Sequence, residues 1–299
     1  MRKVLSVALT ALAVFTLQAQ SLPVLLLQTD PAVAGSAGAS SQSAVSAYAA
    51  ENNMAAVSLS SDKLHAGVSY ESWQPAAAKD RLLGFGAFWH SGKLGLAVGF
   101  KSLQMPSYEI VSPNGATSQV DGAFSPGESS ISLGGSYALG KNLAFGVVAR
   151  LTSSNLAKDA SASVFGADIS VQYSTDGLSA GLTLANLGGK VDYGEGPYPQ
   201  PACIKAGASY DIIEGLNVSA GAGYLFEGAF ESSVGAEYSF MGMAFGRAGY
   251  HLGSRELGIP SYASVGAGGK VAGVSLDVAY LFASDTVGGS FIAGLSYAF

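Results

Sequence analysis

The stretch "GESSISLGGSYALG", residues 127–140, decides the fold. Ile131, Leu133, Tyr137 and Leu139 fall on one face, and Ser130, Ser132, Gly134 and Ser136 on the other. Alternation with period two is the mark of a strand with one apolar and one polar face. In "VSLDVAYLF" (274–282), Val274, Leu276, Val278, Tyr280 and Phe282 alternate with Ser275, Asp277 and Ala279. "FGADISVQY" (165–173) and "CIKAGASYD" (203–211) divide in the same way, and so does the closing "FIAGLSYAF" (291–299).

Working outward from these windows, the pattern predicts about fourteen strands. They cover 64–72, 81–90, 94–103, 128–138, 142–152, 162–173, 178–187, 202–211, 215–226, 230–240, 242–252, 262–271, 274–283 and 289–299. Most are about ten residues long, enough to cross a bilayer at a tilt. Tight connections ("SGK", "LGKN", "STDG", "IIEG", "FMG", "VAG") alternate with longer ones, notably 104–127 and 188–201. Many strands end on a small residue followed by Tyr, as at Tyr70, Tyr137, Tyr210, Tyr224, Tyr238, Tyr250, Tyr280 and Tyr297. In antiparallel neighbours that rule builds an aromatic girdle at each membrane surface.

Composition agrees. Only 12% of the 299 residues are charged, against roughly 25% in an average soluble domain. Mean hydropathy is positive, yet beyond the N-terminus no apolar run reaches the length of a membrane helix. A closed barrel is the other structure that bonds every backbone group within lipid. The expected fold is therefore all-β, a transmembrane antiparallel barrel of about fourteen strands with a small N-terminal hatch. Residues 1–20, with Arg2 and Lys3 before the apolar Val4–Leu17, read as a secretory signal, with a membrane anchor as the alternative. Residues 21–62 are then a periplasmic or hatch segment, and 63–299 the barrel. A signal plus a barrel points to the outer membrane of a Gram-negative cell.

Several chemistries lack support. Cys203 is the sole cysteine, so there is no internal disulfide or thiolate metal site. A net charge of −6 without a basic cluster argues against nucleic acid. The glycine-rich "GAGGKVAG" and "GFGAFW" lack the context of a phosphate loop. Of His65, His90 and His251, only His251 has candidate partners nearby, Ser254 and Glu256, and a rim histidine is the simpler reading. No cofactor and no enzyme activity are expected. Glu227 and Glu231 flank a tight turn and read as solvated.

The smaller strand face points inward. It carries the acids Glu71, Asp168, Asp211, Glu231, Glu237 and Asp277 and the bases Lys101, Arg150, Lys205, Arg247 and Lys270. Charges this balanced give no single-sign field for ions; they pair with one another or with an inserted segment. Inner-wall glycines permit close backbone approach, so residues 22–62 are the expected occupant. Phe88, Leu225 and Phe245 offer at most a small apolar pocket.

Residues after the signal carry a family resemblance. "LLQTDPAVAGSAGAS" (26–40) and "SAVSAYAAENNMAAVSLSSDKLHAGVSYESWQP" (43–75) resemble the PorV/PorQ proteins, within the wider FadL-like barrels. Asp30, Pro31 and Gly35 fit one motif; Asn53, Ala55 and Ala56 fit the next, with Met54 where proline is usual; Trp73 and Pro75 close the first strand. The resemblance implies a fourteen-stranded barrel whose hatch is carried by Asp30, Pro31, Gly35, Asn52 and Asn53. It also implies one of two roles. PorV/PorQ proteins serve type IX secretion in Bacteroidetes-type bacteria, with secreted cargo or secretion-machine proteins as partners. FadL-like proteins pass a hydrophobic ligand across the outer membrane.

Overall fold

A computed structural model describes residues 22–74, 78–114, 117–194, 196–254 and 260–299. The expected signal segment, Pro75 and Glu256 lie outside the described residues. Among the described residues, eighteen strands follow in chain order. The first nine are β1 (Leu64–Trp73), β2 (Asp80–Ser91), β3 (Leu94–Gln104), β4 (Tyr108–Asn114), β5 (Thr117–Phe124), β6 (Gly127–Ala138), β7 (Leu143–Ala157), β8 (Ala160–Thr175) and β9 (Leu178–Gly188). The rest are β10 (Lys190–Asp192), β11 (Pro197–Pro199), β12 (Cys203–Ile213), β13 (Leu216–Leu225), β14 (Ala229–Phe240), β15 (Ala244–Leu252), β16 (Tyr262–Val271), β17 (Val274–Phe282) and β18 (Phe291–Ala298). Fourteen of them, β1–β3, β6–β9 and β12–β18, form one closed antiparallel barrel.

The last strand closes the ring. β18 pairs with β17 and with β1, placing Leu295 opposite Val68 and Ala298 opposite His65. The Phe299 amide and the Leu64 carbonyl bond at 2.8 Å, so the ladder runs to the final residue. Each of the fourteen expected strands is present. β7 and β8 extend further than the alternation indicated, because Thr152, Ser153, Ser154 and Asn155 are polar on both faces. The two long connections expected as plain loops instead form hairpins, β4–β5 and β10–β11.

Six tight turns and the start of β1 share one end of the barrel, the turn end; Gly177 (φ 78°) and Gly273 (φ 83°) supply left-handed turn conformations there. Both hairpins stand at the other, the loop end. Outward residues form an exposed apolar belt, with Leu133 61% and Phe165 73% accessible. No soluble protein leaves so much of its large apolar side-chain surface bare; lipid is the medium that covers it. Tyr137, Tyr173, Tyr210, Tyr238 and Tyr297 mark the belt at the turn end, and Tyr70, Tyr224, Tyr250 and Tyr280 at the loop end.

Candidate functional site

Inside the ring lies the segment 22–60. Its first part, Leu22–Leu27, sits at the loop end, where Leu22, Val24 and Leu25 pack on Leu82, Leu103, Val164 and Val191. The chain then descends through Asp30 into a short helix, α1 (Pro31–Gly35). Asp30 Oδ1 accepts from the Ala32 and Val33 amides at 2.9 and 3.3 Å, a side-chain cap, and proline takes the first helical position where no amide is needed. Burial pushes the Asp30 carboxyl above its ordinary range despite those hydrogen bonds. From Ser36 to Ser43 the segment runs in turns against the wall.

The wall meets it with glycine. A Cβ on Gly266 would fall 2.9 Å from the Gly35 Cα, one on Gly294 2.8 Å from Pro31, and one on Gly235 2.8 Å from Ser36. At Gly181 it would collide with the Gln42 carbonyl, and at Gly146 with the Ala55 amide. Inner-face glycine is thus the imprint of the inserted segment, which approaches the ladder backbone to backbone.

Polar side chains fix its register. Asn52 Oδ1 accepts from Gln28 at 3.1 Å, joining the descending and returning arms. Asn53 Nδ2 donates to the Gln42 carbonyl and to Gln172 Oε1 at 2.9 and 2.7 Å, while its Oδ1 accepts from the Ala55 amide. That caps a 3₁₀ turn over Met54–Leu59. Met54 occupies the first position of the turn and fills the space over Gly134.

One buried ion network ties segment to wall. Glu51 meets Lys101 at 3.0 Å and Arg150 at 3.5 Å, and accepts from Ser132 Oγ at 2.7 Å. Arg150 also reaches Asp168 at 2.9 Å, Asn186 Oδ1 at 2.8 Å and the Ala50 carbonyl at 3.2 Å. Burial by itself would raise the Glu51 carboxyl, but the two cations outweigh it and hold it below the usual carboxylate range. A second network joins Arg247 to Glu237 and Asp277 at 2.5 and 2.6 Å.

The expected lumen charges therefore divide. Arg150 and Asp168 meet in one network, and Glu237, Arg247 and Asp277 in the other. Lys205 stands apart, lining a cavity of about 110 Å³ with Glu231 and His251. Asp211 departs from the expectation: it is exposed at the turn end, accepting from Asn217 at 2.7 Å, because β12 runs beyond the filled lumen there. Glu227 is buried rather than solvated. His251 faces inward, stacked on Tyr262 at 5.0 Å and 3.9 Å from Glu231. Phe88, Leu225 and Phe245 form no common pocket: Phe88 packs on Ala49, Met54 and Val57, Leu225 on Cys203, and Phe245 under the Arg247 guanidinium.

Glu51 escaped the sequence reading, although it is the lone charge between residues 31 and 61. Lys101, Arg150 and Asp168 are likewise the lone charges of β3, β7 and β8. A solitary charge in a membrane strand demands a partner, and that was the available signal.

Among the described residues the wall shifts register at three places: near the strand ends at Asn155–Ala157 and at Asp211–Ile213, and in mid-strand between β8 and β9. Between Ala167 and Ile169 the pairing of β8 jumps from Leu187 to Leu184, a bulge in β9 where Asn186 adopts φ 57°. Side chains supplement the ladder there, beside the backbone bond from the Gly189 amide to the Phe165 carbonyl at 3.2 Å. Asp168 Oδ1 accepts from the Asn186 amide at 2.7 Å, and Gln200 Nε2 donates to the Phe165 and Gly189 carbonyls at 2.9 and 3.1 Å. Val164 and Val191, which underlie Leu22–Leu27, lie beside this seam.

No protein-family model and no curated protein matches this sequence. Solved structures do share its architecture. The toluene transporter TbuX of Ralstonia pickettii superimposes with a TM-score of 0.63 at 14% identity, over 95% of this chain and 99% of that one. The toluene transporter TodX of Pseudomonas putida gives 0.63 at 15%, over 95% and 99%. A FadL homologue of Pseudomonas aeruginosa gives 0.54 at 14%, over 90% and 95%. At such identities the likeness establishes a FadL-type barrel fold.

Proposed function

We propose that this chain is a passive outer-membrane channel for small hydrophobic molecules, with the loop end outside the cell and the turn end in the periplasm. The observation that carries this reading is the β8–β9 seam. An unbroken backbone ladder is costly to open, whereas at this bulge part of the bridging falls to the Asp168 and Gln200 side chains, which can rearrange. The seam adjoins an apolar mouth, Leu82, Leu103, Val164 and Val191, covered by the chain's own Leu22–Leu27. A hydrophobic molecule that displaces those side chains enters an apolar site and leaves sideways into the bilayer, without crossing the polar layer below. That layer is the reason a straight path is disfavoured. The cavities beside the inserted segment hold about 110 and 170 Å³ and are lined by groups such as Lys205, Glu231, Tyr48 and Asp277. The transporters that share this architecture support hydrophobic cargo.

The secretion-component reading, with secreted cargo as partner, rests on the motif residues Asp30, Pro31, Gly35, Asn53, Ala55 and Ala56 and on Trp73 and Pro75. Of these, Asp30 and Asn53 have local structural work here, capping α1 and the Met54–Leu59 turn.

The test is uptake of radiolabelled toluene by cells with and without the protein. Expression should raise the initial rate several-fold. A disulfide between Ala167→Cys and Leu187→Cys, a registered pair at the seam, should return uptake to background, and reductant should restore it. Uptake indifferent to the staple eliminates the seam as the route, and no uptake above control eliminates the channel.

A further inference from the structure

On one arc of the barrel the outward face changes character before the strands end. Registered pairing carries an apolar row, Phe85–Phe100–Ile131–Leu151–Phe165, across β2, β3, β6, β7 and β8. One step toward the loop end the outward residues of β3, β6, β7 and β8 are Ser102, Ser129, Ser153 and Ser163, again in register. One step further stand Arg81, Gln104 and Asn155. The opposite arc stays apolar to its strand ends, with Tyr224 opposite Phe230 and Tyr280 opposite Phe291.

Above this polar shelf the base of the β4–β5 hairpin forms a roof. Tyr108 donates to the Leu156 carbonyl at 3.4 Å and holds the hairpin over β7. Between roof and wall lies an open groove of about 840 Å³ with Lys79 and Arg81 on its rim. Neither cation makes an ion pair among the described residues. The acid at the groove, Glu128, is turned into the lumen, where its carboxylate accepts from the Val24 amide and Ser154 Oγ at 3.0 and 3.1 Å. The groove thus presents hydroxyls and two free cations directly above the hydrocarbon boundary.

We infer that this groove seats the headgroup of a phosphorylated glycolipid of the outer leaflet. Acyl chains lie along the Phe100–Ile131–Leu151 row, sugar hydroxyls meet Ser129 and Ser153, and a phosphate meets Arg81 and Lys79. Paired cations hold phosphate by charge-assisted hydrogen bonds. A phosphate at the membrane surface arrives with its tails already in the bilayer, so the groove is occupied at high local concentration. The assignment rests on the loop end facing outward, as proposed above, but its readout is lipid binding and is independent of uptake.

The experiment is titration of the detergent-purified barrel with hexa-acylated bisphosphoryl lipid A, read by native mass spectrometry. Folding of each variant is checked by the heat-modifiable band on a gel. One lipid A per barrel is expected, retained in excess inorganic phosphate. Lys79→Ser with Arg81→Ser should weaken binding by about tenfold or more, as should removal of the lipid phosphates. Ser129→Leu with Ser153→Leu keeps both cations and should also weaken it. Lys93→Ser with Lys141→Ser, an equal charge loss at the turn end, should not. Unchanged affinity in the cation double variant, equal binding of phosphatidylglycerol, or displacement by inorganic phosphate overturns the proposal.

Discussion

Glu51 is held by two cations from different strands, Lys101 and Arg150, in a site that excludes water. Removing one partner of such a group leaves the others buried and uncompensated, at a cost of about 3–5 kcal/mol. Glu51→Gln should therefore loosen the inserted segment without opening the barrel. The pH dependence follows from the lowered carboxyl. Its stabilising contribution is complete above the unfolded value, about 4.3, and is lost as pH falls through the lower folded value. Asp30, raised by burial, has the opposite sign: it favours the folded state at low pH and loses that contribution as pH rises. Hydrogen exchange of residues 46–60, corrected for intrinsic rates, should accelerate below about pH 4 in the native protein. In Glu51→Gln it should be fast already at neutral pH and show no such step. Neither effect was foreseeable from the motif residues. Asp30 and Asn53 stood out through the family resemblance, whereas Glu51 lies outside its motifs and finds its partners 50 and 99 positions along the chain, at Lys101 and Arg150.

At the scale of single strands, glycine separates the two faces as sharply as hydrophobicity does. Gly181 and Gly146 lie where the inserted segment touches the ladder, while a Cβ on Gly246 would meet nothing within 4 Å. Gly181→Ala should cost about 1–3 kcal/mol through overpacking and unseat the segment. Proteinase K should then cleave within 22–60 while the barrel keeps its heat-modifiable band. Gly246→Ala should behave as the native protein. The strand pattern was legible because period two survives any twist. The β4–β5 and β10–β11 hairpins were not legible, since neither is half-buried in lipid and their residues show no alternation. The ends of β7 and β8 were hidden for a related reason: around Thr152–Asn155 both faces of β7 are polar, the inner one although it is buried.

For the whole molecule, the ring and its contents are separable. The fourteen-strand ladder is continuous without residues 22–60, so a chain lacking them should insert and conduct ions steadily in a planar bilayer. The intact protein should stay closed. A deletion protein as silent as the native one would mean that the wall collapses inward without its filling. Alternation determined that this chain is a membrane barrel, how many strands form its ring, and which residues face lipid, because lipid sorts side chains by parity. Tertiary structure alone decided which lumen charges meet, that Asp211 stays apart, and where the seam and the outer groove lie. Parity assigns a face but not a height. Height depends on strand tilt and register around the closed ring, and on a segment far away in sequence that fills it.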